Sequence, residues 1–441
     1  MLLAVSSRCG AEIEQGSPEF RGLAGTGTAV SAAPATWTDA DIAWRVPIAG
    51  RGWSSPAVGL ADERDQQVWL TTASEDGRTL TGLSLDLATG RSMWEEDLFT
   101  VSHPREKHLF NSYASPTPCL SATHAYLSWG SNGLAAIDRR TFEPTWVRRD
   151  LPTNHYRGPG SSPVLDRAAG RLFVIYDGFD FQFVECFDAA TGETLWRSHR
   201  PWNFGTDNGD HKKAYATPLL IDASTEDGTS RGELICPTSK GVFALDPATG
   251  RELWRVRWEQ FSTASRPVFV GGRLYITTGF GKGAIVCVRP GGRGDVTESH
   301  VVWAEPRTMP SKPSPIVAGG RVYGLNDRGV LITLDANTGE RLAQTRLSGN
   351  FSASPLLLRR PTNAAETDET SAGPTPDDRL FVVDEEGQAT ALRIGGATPE
   401  VVGTSRLPEG VLATPIAVGD RLLVRTRTEL VCVTRDIAGT D

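Results

Sequence analysis

The phrase Leu245-Asp246-Pro247-Ala248-Thr249-Gly250-Arg251-Glu252-Leu253-Trp254 returns along the chain, each time after a strand-like apolar run. Leu85-Asp86 leads through Thr89-Gly90 to Trp94, Phe187-Asp188 through Thr191-Gly192 to Trp196, and Leu334-Asp335 through Thr338-Gly339 to Ala343. Ile137-Asp138 with Thr141 and Trp146 is a degenerate copy that lacks the glycine. The physical content is a hairpin. The Asp carboxylate accepts hydrogen bonds from the turn backbone, and Gly supplies the positive φ that lets the next strand return. Trp then enters the returning strand as a wide wedge for packing one sheet on another.

A second repeat interlocks with the first: in most copies a small or hydroxyl residue followed by Pro, opening another apolar strand. Its copies are Ser55-Pro56, Ser115-Pro116, Ser162-Pro163, Thr217-Pro218, Arg266-Pro267, Ser314-Pro315, Ser354-Pro355 and Thr414-Pro415. Successive prolines are 60, 47, 55, 49, 48, 40 and 60 residues apart, the length of a four-stranded propeller blade with its loops. The expected fold is therefore all-β, an eight-bladed β-propeller over residues 38–435, with residues 1–37 as a mobile N-terminal arm and 436–441 as a tail. The segment Ile42-Ala43-Trp44-Arg45-Val46-Pro47 reads as an outer strand whose three partners are missing locally. The last repeat, from Thr414-Pro415 through Leu430-Val431-Cys432-Val433, has three strands and stops. The N-terminal strand is expected to complete that blade and close the ring, removing two open edges.

Composition agrees with many short strands: the 441 residues include 46 Gly and 28 Pro, and long amphipathic helical patterns are absent. The net charge of −8 offers no basic footprint for nucleic acid, and no apolar run is long enough to span a membrane as a helix. Six cysteines stand singly at 9, 119, 186, 236, 287 and 432, which reads as buried free thiols rather than disulfides or metal ligands. Met1–Val5 is shorter than the apolar core of an export signal, and Arg8 precedes Cys9. The compartment stays open on this reading, and a monomer is expected.

Connections from an outer strand to the next inner strand are expected to ring the channel on one face. They are enlarged in the first half of the chain: Trp94 to Pro116 spans 22 residues, Trp146 to Pro163 17 and Trp196 to Pro218 22, against a minimum of 12 elsewhere. These loops carry Asn111 and Tyr113, then His155 and Arg157, then Trp202, Asp207, Asp210, Lys212, Lys213 and Tyr215. Short loops add Arg51, Trp53, Arg266, Lys312 and Asn350, and the turns holding Asp177 and Asp180 open on the same face. Together these residues form a candidate funnel for a polar or anionic ligand, with cations for charge, Trp53, Tyr113 and Tyr215 for stacking, and His155 with Asp207 or Asp210 for proton transfer if there is chemistry. The competing expectation is that such residues pair with one another and cap the channel. Sharper motifs fail: Asp207-Asn208-Gly209-Asp210 lacks the alternate ligands of a calcium loop, and no nucleophile elbow surrounds Ser161.

The xSP strand start combined with the Asp-x-x-Thr-Gly-x-x-x-Trp hairpin resembles the PQQ-like β-propeller repeat family over about residues 42–435. Phe20-Arg21-Gly22, Arg51-Gly52-Trp53 and Tyr156-Arg157-Gly158-Pro159-Gly160 further resemble a planctomycete-type bacterial subgroup whose members are generally exported. The family includes quinoprotein dehydrogenases and scaffold propellers that share the repeat without the cofactor. The dehydrogenases use a vicinal disulfide, a calcium held by Asp, Glu and Asn, and often a haem domain. This chain has no adjacent cysteines and no CxxCH haem motif. The resemblance therefore implies a non-catalytic binding propeller for a peptide, glycan or protein partner. The alternative it implies is a PQQ- and calcium-dependent oxidoreductase, or another small-molecule enzyme, in the same funnel.

Overall fold

The computed structural model describes residues 16–59, 66–200, 204–225, 228–306, 310–361 and 374–435. Eight sheets of four or five strands form an eight-bladed β-propeller. Blade 1 runs Ala57–Val58, Gln67–Ala73, Thr79–Asp86 and Ser92–Thr100, inner to outer, and the next six follow in chain order. Blade 8 is completed as expected: Ile42–Pro47 pairs antiparallel with Glu429–Thr434, with Trp44 opposite Cys432. Between inner and second strands, blade 4 carries residues 225–229 and blade 7 residues 360–378; of these, 226–227 and 362–373 fall outside the described residues.

The repeated hairpin has the anticipated geometry. In all five copies the Asp carboxylate accepts from the backbone amide three residues on, at 2.8–3.1 Å. The turn glycines have φ between 69° and 74°. Each repeat tryptophan reaches the following blade. A Cβ added at Gly90, Gly192, Gly250 or Gly339 would lie within 3 Å of the ring of Trp44, Trp146, Trp196 or Trp303 respectively. The same four indoles donate to carbonyls of the turn they cover, those of Leu87, Ala189, Pro247 and Ala336, at 3.0–3.2 Å. Glycine is thus needed twice over, for its φ and for the missing side chain. The degenerate copy solves the problem differently. Phe142 takes the glycine position at φ 61° and stacks its ring on Trp94, with centroids 6.2 Å apart.

A bulge beside each tryptophan sets it directly opposite a small residue of the third strand, Ser84, Ala136, Ala244 or one of the cysteines 186, 287 and 432. This explains three of the scattered cysteines, at 186, 287 and 432: a thiol is one of the few side chains small and apolar enough to sit under an indole. Five described cysteines are buried and free, and burial pushes the Cys186 and Cys432 thiols up to about 12.

Two expectations change. In blade 2 the inner strand is Cys119–Leu120, so the equivalent of Ser55-Pro56 is Thr117-Pro118 rather than Ser115-Pro116. The tandem Ser-Pro-Thr-Pro offers both registers, and the hydrogen bonds below select the second. The arm expected to be mobile over 1–37 is packed over its described part. Ser17 pairs with Val58 in blade 1, Pro18 accepts from the Leu120 amide in blade 2, and Thr28–Val30 runs parallel to Leu356–Arg359 in blade 7. Residues 1–15 lie outside the described residues. No described helix is long and apolar enough to cross a membrane.

Candidate functional site

The blade starts meet around the axis. Backbone amides of Ser55, Thr117, Ser162, Arg266, Ser314 and Ser354 each donate to the hydroxyl of the next blade's start, on Thr117, Ser162, Thr217, Ser314, Ser354 and Thr414, at 2.9–3.0 Å. This is why a hydroxyl residue precedes the proline. Arg266 is the departure, and its side chain has another task. It is fully buried, pairs with Glu19 at 2.7 Å and donates to the carbonyls of Phe20 and Gly22. Glu19 also meets Arg167 of blade 3 at 3.4 Å. Arg21 donates to the carbonyls of Pro315 and Pro355 in blades 6 and 7. Its burial, and then the Arg266 charge, bring its guanidinium down to about 9, so it remains a cation at neutral pH. The chain from Ser17 to Val30 therefore fills the central channel. Phe20 forms the floor of a small cavity of about 120 Å³ at the channel mouth.

The expected funnel residues are mostly engaged with one another. Asn111 ties its loop to the next through the Arg157 and Pro159 carbonyls, at 2.8 and 3.2 Å. Tyr113 donates to the Arg105 carbonyl. Asp177 is buried against Arg200 at 3.2 Å and Thr238 at 2.6 Å; burial raises its carboxyl, opposed by the Arg200 charge. Asp180 accepts from the Asn154 and Phe181 amides. Lys213 is buried and holds Asp210 at 2.6 Å, which also meets Arg157 at 3.4 Å. Desolvation pushes the Asp210 carboxyl up, but the Lys213 hydrogen bond and the two cations outweigh it and leave it below the usual range. The Tyr215 hydroxyl is buried without a hydrogen bond.

Arg266 serves the plug and not the funnel, a role its sequence neighbours do not announce. Residues that do reach the mouth are Trp53, with the Arg51 guanidinium over its ring at 5.0 Å, and Lys312, whose ammonium pairs with Glu385 at 3.0 Å and lies over Phe110 at 4.4 Å. Asn350 and Asp207 are exposed, and Lys212 is partly so; neither Asp207 nor Lys212 has an ion-pair partner among the described residues. Trp202 lies outside the described residues.

His155 is not poised for proton transfer. Its Nε2 accepts from the Ser131 amide at 2.9 Å, and burial lowers the imidazole to about 4, with Asp180 opposing. An unfolded histidine protonates near 6.5, so between about 6.5 and 4 the unfolded chain binds the extra proton and stability falls as pH falls. Urea unfolding at about pH 7 and pH 4.5 should show this histidine costing about 2.5 kcal/mol at the lower pH. His155→Gln, which keeps an acceptor for Ser131, should remove that share. Equal pH dependence in both proteins would refute the assignment.

What the sequence reading missed is apolar. Leu109, Phe110, Tyr156, Phe179, Phe181 and Phe280 are exposed on the loops of blades 1–5, Phe280 by 61% and Leu109 by 88%. Tyr156 packs on Phe179 with centroids 5.1 Å apart, and Phe261 on Phe280 at 5.7 Å. The Lys213 ammonium links the two pairs, 5.9 Å from Tyr156 and 6.0 Å from Phe261. Tyr156 and Ser262 hold positive φ, at 62° and 56°, a strain that clusters at functional sites. The usable signal was an aromatic flanked by turn glycines, in Gly178-Phe179 and Gly279-Phe280-Gly281.

The cavity at the channel mouth is well under the roughly 300 Å³ at which small-molecule sites begin, and the described residues place no group of three His, Cys, Asp or Glu that could hold a metal.

A family model described as outer membrane protein assembly factor BamB matches residues 180–364. Among solved structures, BamB from Moraxella catarrhalis is similar with a TM-score of 0.58 at 15% identity, over 89% of this chain and 99% of that one. The Dos1 propeller reaches 0.60 at 9% identity, over 89% and 94%. The quinohemoprotein alcohol dehydrogenase from Comamonas testosteroni reaches 0.52 at 12%, over 97% and 81%. At these identities the structural likeness is one of fold. No curated protein sequence matches. The family match covers the middle of the chain, residues 180–364, and the solved structures share its β-propeller fold.

Proposed function

We propose that this protein is a non-catalytic binding propeller whose enlarged loops on blades 1–4, with the adjoining turns of blade 5, hold an extended segment of a partner protein. The observation that carries this reading is the aromatic strip from the exposed Phe179 and Tyr156 to the half-buried Phe261 and the exposed Phe280, linked by Lys213 and flanked by Arg157. Exposed apolar groups rimmed by polar ones mark interaction surfaces, and aromatic anchors dominate their affinity. Pairing among the titratable residues positions the loops, and BamB-type propellers supply the analogy of a scaffold.

A displayed peptide library panned on the protein should yield binders that lose at least tenfold in affinity against Tyr156→Asn/Phe280→Ser, about 1.4 kcal/mol or more. The melting temperature of that variant should stay within about 2 °C. Binders indifferent to the pair, or none at all, would overturn the reading. The alternative, a quinone-dependent oxidoreductase using the channel, requires Ser17–Val30 to leave it. A saturable rise in melting temperature with PQQ and calcium would favour that alternative.

A further inference from the structure

The ring of blade starts has a chemical consequence at the channel mouth. A hydroxyl whose oxygen accepts an amide still has its own proton to give. None of the six ring hydroxyls that accept an amide donates to another described residue. Five of these, on Thr117, Ser162, Thr217, Ser354 and Thr414, line the cavity above Phe20, and each residue is at least 94% buried. Ser55 joins them with a buried Oγ that has no partner at all. Six hydroxyl protons thus surround one small space without an acceptor.

The charge around that space has a sign. Its lining contains no carboxylate; Lys312 is the single ionisable side chain there, with its ammonium on Glu385. Beneath the floor, Arg266 and Arg167 share the carboxylate of Glu19 while Arg21 rests on the Pro315 and Pro355 carbonyls, leaving buried positive charge in excess. Convergent donors over surplus positive charge disfavour a cation and suit an acceptor-rich anion. The volume, about 120 Å³, is enough for one tetrahedral oxyanion.

We infer that the mouth of the plugged channel is a binding site for a small oxyanion of the phosphate or sulfate type, read by the hydroxyls of the blade starts. The site is independent of the aromatic strip. It is tested by calorimetric titration of inorganic phosphate, then sulfate, into the full chain at constant ionic strength with chloride as reference. Saturable one-site binding is expected. Ser55→Ala breaks no hydrogen bond of the fold and should weaken binding about fivefold. Ala264→Leu, which fills the cavity, should abolish it. Tyr156→Asn/Phe280→Ser should bind phosphate as the wild type does. No saturable heat from either anion would overturn the inference and leave the cavity to water. Equal affinity in wild type, Ser55→Ala and Ala264→Leu would overturn it too, by placing the anion elsewhere.

Discussion

A chain truncated to begin at Ala49 is expected to aggregate and to lose cooperative unfolding to a greater degree than one beginning at Thr38, which lacks the channel segment but keeps the closing strand. The two differ by the strand Ile42–Pro47. That strand covers Glu429–Thr434 of blade 8, and its Trp44 covers the turn of blade 1 while donating to Leu87 at 3.1 Å. Without it, an outward edge of blade 8 and an uncovered flank of blade 1 face solvent together, the arrangement that templates intermolecular pairing. Loss of the indole alone is worth about 3 kcal/mol, a large part of the 5–15 kcal/mol typical of a folded domain. Light scattering and urea unfolding on the two truncations decide the matter. A monodisperse, cooperatively unfolding chain from Ala49 would show that the seam does not hold the ring.

The second large effect belongs to Arg266. Arg266→Met should lower the unfolding free energy by about 3–5 kcal/mol, because it leaves the buried Glu19 carboxylate with only the half-exposed Arg167 and frees two carbonyls of the plug. Adding Glu19→Leu should recover a good part of the loss, since two apolar side chains are a better buried pair than one orphaned charge. A loss below about 1 kcal/mol for Arg266→Met alone would mean that the N-terminal segment does not depend on this anchor.

The ring, its count of blades and its closure were legible because each rests on local chemistry repeated many times. Asp at a turn, Gly at positive φ and Pro at a strand start announce themselves within ten residues. Blade 2 went astray at the one place where the local signal is doubled, Ser115-Pro116-Thr117-Pro118. The plug was illegible for the opposite reason: Glu19 and Arg266 are 247 residues apart, and nothing near either names the other. The same holds at the loops. Arg157 and Asp210 looked like free ligands in sequence because their pairing joins two neighbouring loops and is a property of neither alone. Exposure of Phe179 and Phe280 is likewise a tertiary fact, since a phenylalanine in a sequence is by default a core residue.

The strand that seals the ring comes early in the chain, and its partner comes at residues 429–434. On a ribosome, Ile42–Pro47 would wait unpaired while seven blades are made, and the channel segment would wait with it for blades 5–7. Contacts spanning nearly the whole sequence are slow to form, because the loop they close must be ordered before they repay it. Refolding should therefore show a late phase in which Trp44 acquires its native environment after most β-structure is present. The period before that phase is when the protein is most exposed to misassembly.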